Sequence, residues 1–294
     1  MSFTAIDLSQ LPAPVAIDPL DYEAILAEML AKYRELFPDF VLVESDPAMR
    51  VMQVAAWFRL LDRQKANDDA VGAMLAYASG ADLDQIGARF GVQRLEITPA
   101  DPEEGTPAVM EGDEDFRFRI TLAPEGYSVA GPEGAYLYYA LTADSEVASV
   151  SARSPEPAEV EVYVLSRAAE GTASPELLDT VSAALSDRTR RPIGDRVTVH
   201  SAMIVEYAIE AAITTYAGPD AAIVMANAQA RIEKYVTDNR KIGRDVTLAA
   251  INAALFVGGS QNVAITQPVA DIVLDDTQAA ICTGIVLTHA GIAE

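Results

Sequence analysis

The stretch LAYASGADLDQIGARFGVQR, Leu75–Arg94, decides how the N-terminal part of this chain is read. It contains no plausible catalytic set, yet its caps are too ordered for plain surface. The pattern predicts a helix ending at Ala78, a break at Gly80, and a second helix that starts at once with Asp82 as its N-cap. Gln85 stands three residues further on, in capping-box register. Gly91 follows Arg89 and Phe90, the order expected where a helix stops after a basic last turn. These residues read as a tight helix–turn–helix corner, architecture rather than chemistry.

Upstream of the corner, residues 1–18 read as an extended arm in which Pro12 and Pro14 oppose helix, and a helical region is expected over 19–144. Asp18 is placed as a cap, with Pro19 at the favoured first helical position. Tyr22, Ile25, Leu26, Met29, Leu30, Tyr33, Leu36 and Phe37 then repeat at three- and four-residue spacing, with Glu23, Glu28, Lys32 and Glu35 opposite. Asp46-Pro47 repeats the cap-plus-proline start and opens a long helix running to about Ala78. Val51, Val54, Phe58 and Leu61 form one apolar seam, and Met52, Ala56, Trp57 and Leu60 widen it around the helix. So broad an apolar surface needs partners on more than one side, either inside its own domain or in a bundle shared with another chain.

Downstream, Leu95–Gly112 reads as a loop, and Glu111–Leu122 as a helix with Phe116, Phe118, Ile120 and Leu122 on its buried side. Another helix is expected from Pro132 to about Thr142. The character then changes. Glu146–Ala152 and Val160–Leu165 alternate in strand style, Ser174-Pro175 caps a helix reaching about Arg190, and Arg196–His200 is a third strand. This β–β–α–β order predicts a small α+β domain over 145–202. A second is expected over 203–294: strand Glu206–Thr215, a helix opened by Gly218-Pro219 and reaching Val236, a shorter helix Val246–Phe256, and strands Asn262–Gln267 and Ala279–Thr288. The fold class is therefore α+β, with mixed or antiparallel sheets behind a helical N-terminal region.

The composition restricts function. Twenty-one basic against forty-four acidic residues leave a formal charge of −23, which repels nucleic acid and anionic membrane. From Glu96 to Glu161 the only cations are Arg117, Arg119 and Arg153. A single cysteine, Cys282, excludes an intrachain disulfide. With no signal-peptide pattern and no apolar run long enough to span a bilayer, synthesis in a reducing cytoplasm is expected. His200 and His289 have no partners at metal-ligand spacing, and no Walker A, G-x-G-x-x-G or G-x-S-x-G pattern occurs. Glu111, Asp113, Glu114 and Asp115 lack the spacing of a calcium loop and suit a helix N-terminus. No catalytic, cofactor or metal residue is expected.

With that architecture read, the chain resembles the baseplate J-like family of contractile phage tails and related injection machines. The resemblance rests on DPAMRVMQVAAWF (Asp46–Phe58), the Leu75–Arg94 corner, EDFRFRI (Glu114–Ile120) and the S-x-x-G-P-x-x-x-Y stretch from Ser128 to Tyr136. It continues in RRPIGDRVTV (Arg190–Val199) and IGRDVTLAAINAAL (Ile242–Leu255), in the family's order. The resemblance implies a structural wedge protein. Its expected partners are other copies of itself, a tail-protein-I-like subunit, and the baseplate hub, spike and wedge neighbours. It would be assembled in the host cytoplasm into the virion tail. Tyr22, Ile25, Met29, Tyr33, Val51, Val54, Phe58 and Leu61 are then candidates for the shared bundle. Asp46, Pro47, Arg50, Tyr77, Gly80, Asp82, Leu83, Asp84, Arg117, Arg119, Arg191 and Pro192 carry over as architecture. Asp46 and Pro47 start a helix, Tyr77 to Asp84 form the corner, and Arg191-Pro192 ends a helix. Arg50 calls for a nearby acid, and Arg117 and Arg119 either hold local carboxylates or lie on a solvated face. The competing readings are an intracellular α+β enzyme using scattered carboxylates with a metal, and an assembly adaptor absent from the mature particle.

Overall fold

A computed structural model describes residues 8–12, 14, 18–39, 43, 45–168, 170–218 and 220–293. Most of the expected N-terminal arm, and Pro219 of the Gly218-Pro219 start, lie outside them; within the arm, Leu8–Gln10 form a 3-10 turn. The chain is α+β and divides into two compact units. The first holds residues 5–94 with 112–120; the second holds 95–111 and 121–294.

The first unit is helical. Helix α1 (Tyr22–Leu36) starts at Asp21, whose carboxylate accepts from the Ala24 N–H, and not at Asp18. Asp18 is used elsewhere: its N–H donates to Asn67 Oδ1 at 2.9 Å and its carbonyl accepts from Asn67 Nδ2 at 2.9 Å. Pro19 therefore precedes the helix and does not open it. Helix α2 (Pro47–Gly72) does start at Asp46-Pro47, with Asp46 Oδ1 accepting from the Ala48 N–H at 2.9 Å. It ends at Gly72, short of the expected Ala78. The two helices pack through Ile25, Leu26 and Ala56, flanked by Tyr22, Met29, Leu30, Met49, Met52 and Leu60. Helix α3 (Gly80–Arg89) and the start of α4 (Asp113–Leu122) complete the unit around Leu83, Ile86, Phe116 and Ile120. Phe118 is exposed, contrary to expectation. Phe116 and Ile120 are four apart and share a helix face, whereas a two-residue step carries Phe118 round to the other side.

The second unit begins with a two-stranded ribbon, β1 (Glu96–Thr98) against β2 (Val109–Met110), where a loop was expected. Glu111 closes it: its N–H donates to the Leu95 carbonyl at 2.8 Å, and its carboxylate accepts from the Leu95 N–H at 3.2 Å. A 3-10 turn, Ala123–Tyr127, leads to α5 (Glu133–Ala143). The central sheet runs β3 (Val147–Arg153), β4 (Glu159–Ser166), β5 (Arg196–Ser201). β3 and β4 pair antiparallel and β4 and β5 parallel, so the crossover must contain α6 (Pro175–Leu185). That helix is capped by Ser174 as expected but stops at Leu185, before Arg190. Val162, Val164, Leu177, Val181 and Leu185 fill the layer between sheet and helices.

The C-terminal sheet has β6 (Met203–Tyr216) in the middle, antiparallel to β7 (Ser260–Gln267) and parallel to β8 (Gln278–Ala293). Helices α7 (Ala221–Asn239), capped by Asp220, and α8 (Leu248–Leu255), capped by Thr247, cover one face. The alternation read in the sequence puts Tyr207, Ile209, Ala211 and Ile213 on that face, against Val224, Ala228, Ile232, Ile251 and Leu255. Leu165, Ala202, Ala279 and Ile281 form a small cluster joining the two sheets.

Candidate assembly interface

In α1 and α2 the apolar residues part into two sets. Ile25 is buried inside the hairpin, and Tyr22 and Met29 pack beside it; Tyr33 is half-buried with its ring 5.1 Å from that of Phe37. The seam on α2 faces outward: Val51 is 68% exposed, Val54 56%, Trp57 50%, Phe58 56% and Leu61 40%. The reason is helical geometry. Met49, Met52, Ala56 and Leu60 follow a three- or four-residue step and take the face toward α1, which leaves the Val51–Leu61 row on another face. Arg50 lies exposed at the start of the helix.

The Leu75–Arg94 corner is held from α4. After Gly72 the chain makes a turn over Ala73–Tyr77 and re-enters helix at Gly80. A Cβ on Gly72 would come within 2.8 Å of an Asp82 carboxylate oxygen, so the end of α2 lies close against the first turn of α3. The cap of α3 is Ser79, in extended conformation, and Asp82 lies inside the first turn, where an acid suits the helix dipole. This replaces the expected Asp82 N-cap. Gly80 has φ +52°, and its N–H donates to Asp113 Oδ2 at 3.2 Å. Leu83 is fully buried and Tyr77 is partly exposed. At the far end Gly91, φ +72°, closes a Schellman cap: the Val92 N–H reaches the Gly87 carbonyl at 3.0 Å and the Gly91 N–H the Ala88 carbonyl at 3.2 Å.

The arginines of EDFRFRI reach back to backbone carbonyls around the corner. Arg117 donates to the Leu75 carbonyl at 2.8 Å and the Ala78 carbonyl at 2.6 Å, satisfying groups stranded where the helix breaks off. Arg119, 2% exposed, donates to the Gln93 carbonyl at 2.7 Å. Asp84 and Asp113 are held by Arg94. Arg94 pairs with Asp84 at 2.9 Å and Asp113 at 2.8 Å, and its guanidinium lies 4.7 Å from the centre of the Phe116 ring. Burial pushes the Asp113 carboxyl up, but the Gly80 N–H and Arg94, with the charge of Arg117, hold it below its usual value. Arg94 gave no signal in sequence because its partners stand ten and nineteen residues away, on no shared helical face.

Two further motif segments meet in the second unit. Gly131, φ +75°, sits where a Cβ would come within 2.8 Å of Pro192 Cγ and 2.9 Å of an Asp195 carboxylate oxygen. Arg191 donates to the Asp195 carbonyl at 2.8 Å, and the Tyr136 hydroxyl donates to the Asp195 carboxylate at 2.5 Å. Burial and that carboxylate raise the Tyr136 phenol well above its usual value. Tyr139 donates to the Gly126 carbonyl while Arg190 lies 4.9 Å from the centre of its ring. The Ser128–Tyr136 and Arg190–Val199 motifs thus form one joint.

Reactive groups are dispersed. The Cys282 thiol is pushed up by burial and donates to the Gly284 carbonyl at 3.4 Å. His289 Nε2 is 3.1 Å from Thr215 Oγ1, and the His200 ring lies 5.5 Å from that of Tyr163. Among the described residues no group of three or more His, Cys, Asp or Glu side chains is placed to hold a metal ion, and no helix is long and apolar enough to cross a membrane. A cleft of about 410 Å³ is lined by Gly131, Glu133, Tyr136, Arg153 and Asp276 among others; Arg153 in it is bound to Glu161 at 2.9 Å and to Asp276 at 3.4 Å.

Three family models match in order: the baseplate J-like N-terminal domain over residues 44–101, the baseplate J-like central domain over 128–201, and the baseplate J-like protein C-terminal domain over 207–288. Baseplate protein J of Escherichia phage P2 is 47% identical over 288 residues, covering 95% of each chain. The chain belongs to the baseplate J-like family. The central and C-terminal matches take in the two mixed sheets, and the N-terminal match takes in α2, the corner and α3. A chain in the cryo-EM structure of the anti-feeding prophage baseplate is also similar, at 14% identity and a TM-score of 0.38, over 60% of this chain and 44% of that one.

Proposed function

We propose that this baseplate J-like protein acts without catalysis as a wedge component of a contractile phage tail or tail-like particle. Family membership makes it a baseplate structural component associated with the virion. The wedge reading adds neighbours: a second copy, a smaller tail-protein-I-like subunit, and the hub and spike that the ring encloses. Assembly takes place in the host cytoplasm, before the particle is complete. The chain holds the ring's geometry until the tail is triggered, and the trigger acts by binding one arrangement better than the other. A charge of −23 sets the chain against direct contact with nucleic acid.

The observation that carries this reading is the exposed seam Val51, Val54, Trp57, Phe58 and Leu61. Covering side chains of this kind stabilises by roughly 1.5–3 kcal/mol each when burial is complete. A row of five on one helix is the shape of a bundle waiting for further helices. The test is the double substitution Phe58→Asp with Leu61→Asp. Both side chains are exposed in the isolated chain, so folding and melting should be unchanged while the protein disappears from purified baseplates. Normal incorporation of the double variant would overturn the reading.

A further inference from the structure

Positive charge in this acidic chain gathers on the C-terminal helices. Residues 221–256 carry five basic residues, Arg231, Lys234, Arg240, Lys241 and Arg244, against three acids, in a chain whose net charge is −23. The three acids are engaged locally. Glu233 accepts from Gln229 Nε2 at 2.6 Å, Asp238 pairs with Lys234 at 2.8 Å, and the Asp245 carboxylate accepts from the Leu274 N–H at 2.8 Å. Arg231 and Arg244 are exposed, and neither pairs with a carboxylate among the described residues. Arg244 donates to the Asp238 carbonyl at 3.3 Å, and Arg231 has no hydrogen bond among them.

Both arginines line one hollow of about 420 Å³ between α7 and α8. Arg231, Lys234, Tyr235 and Asp238 recur at helical spacing, so they share the face of α7 that forms one wall. Arg244 stands in the loop that joins the two helices. Ala250 and Ala254 of α8 are small enough to leave the space open, and Tyr235 and Ala254 rest on the C-terminal core. The hollow is apolar at its base and positive at its rim.

We propose that this hollow receives an acidic peptide segment of a different protein, with its carboxylates held by Arg231 and Arg244 and an apolar side chain seated on Tyr235 and Ala254. A guanidinium fork matches a carboxylate through two parallel hydrogen bonds, and the base adds apolar burial that a free anion lacks. Charge separates the possible occupants. Nucleic acid and a second copy each bring a large negative charge, which the rest of this chain repels. A partner whose acid is confined to one short segment meets the positive rim without that repulsion. That the partner is a baseplate neighbour rests on the wedge reading; the binding itself does not. The hollow shares no residue with the α2 seam.

The experiment follows the fluorescence anisotropy of a dye-labelled peptide in which glutamates flank a leucine, titrated with the full chain at low ionic strength. The wild type should bind, with an affinity that falls as salt is raised. The same peptide with glutamine in place of glutamate should not bind. Arg231→Ala combined with Arg244→Ala should weaken binding at least tenfold with melting unchanged, because both side chains are exposed. Arg188→Ala removes an exposed cation elsewhere and should leave binding as it is. A wild type that does not bind overturns the proposal, as does an equal loss from Arg188→Ala. Single-stranded DNA that displaces the peptide more readily than unlabelled peptide does would assign the hollow to nucleic acid. Self-association of the full chain that the double variant abolishes would assign it to a second copy; either result overturns the proposal. Because the readout needs neither baseplates nor the α2 seam, its failure leaves the wedge reading standing.

Discussion

In the C-terminal domain, Ile209 and Ile213 of β6 are fully buried against Ile232 of α7 and Ile251 of α8. In the α1–α2 hairpin the fully closed set is only Ile25, Leu26 and Ala56, while five apolar side chains of α2 stand open. Both regions carry the same residue types at regular spacing. The difference lies in the number of layers: the sheet meets two helices over its inner face, whereas the hairpin has one helix to offer another. An apolar periodicity in sequence states that a face must be covered. It does not state by which chain.

The sharpest way to test that contrast is to remove comparable apolar bulk from each side. Ile251→Ala takes atoms out of a closed core and should destabilise the chain by about 2–5 kcal/mol, read as a lowered midpoint in denaturant with an unchanged slope. A loss within the scatter of surface substitutions would mean that the domain does not pack as described.

The corner sits between these extremes, because its stability comes from backbone geometry and polar bonds as well as burial. Gly87→Ala places a Cβ 2.5 Å from Phe116 Cζ and 2.9 Å from the Val92 carbonyl oxygen, so the ring and the cap cannot both stay. Gly91→Ala meets nothing within 4 Å and loses only the ease of its left-handed conformation, about 1 kcal/mol. The first variant should melt measurably below the second. Equal melting would show that Phe116 moves freely, against its place beneath Arg94.

Much of this was legible in the sequence. The α+β class followed from alternation after residue 145, and the inner face of β6 was named residue by residue, because period-two burial leaves a direct trace. The helix at Asp46-Pro47 followed from cap chemistry. Boundaries that depended on distant partners were lost. Asp18 resembles a cap, but Asn67, forty-nine residues on, takes both its backbone groups. α2 carries apolar residues on to Ala78, yet it stops at Gly72, and Arg117, about forty residues on, binds the Leu75 and Ala78 carbonyls in the turn that follows. The short ribbon β1–β2 has strands too brief for any pattern. Arg94, the pivot of the corner, was invisible because long-range ion pairs have no period.

That ion cluster gives a smaller effect with a defined sign. Asp113 is held below its usual value in the folded chain, so the stability it contributes is fully present above the unfolded carboxylate range and is lost as pH falls through the folded value. Melting of the wild type should therefore decline on acidification below about pH 4. Asp113→Asn should start lower at neutral pH and show a shallower decline. Parallel pH profiles for the two proteins would remove Asp113 from the account of the corner.

The smallest expected change is the most telling for the comparison. Phe58→Ser removes a large aromatic side chain that is 56% exposed. If α2 completes its packing within this chain, the loss should resemble that of a core residue. If its outer row awaits other helices, the isolated protein should keep its melting temperature to within the scatter of surface changes, about ±0.5 kcal/mol. The same substitution should then weaken association with whatever subunit covers the row. A null result in the isolated chain combined with a deficit in assembly separates an unfinished interface from a finished core, and neither measurement alone does so.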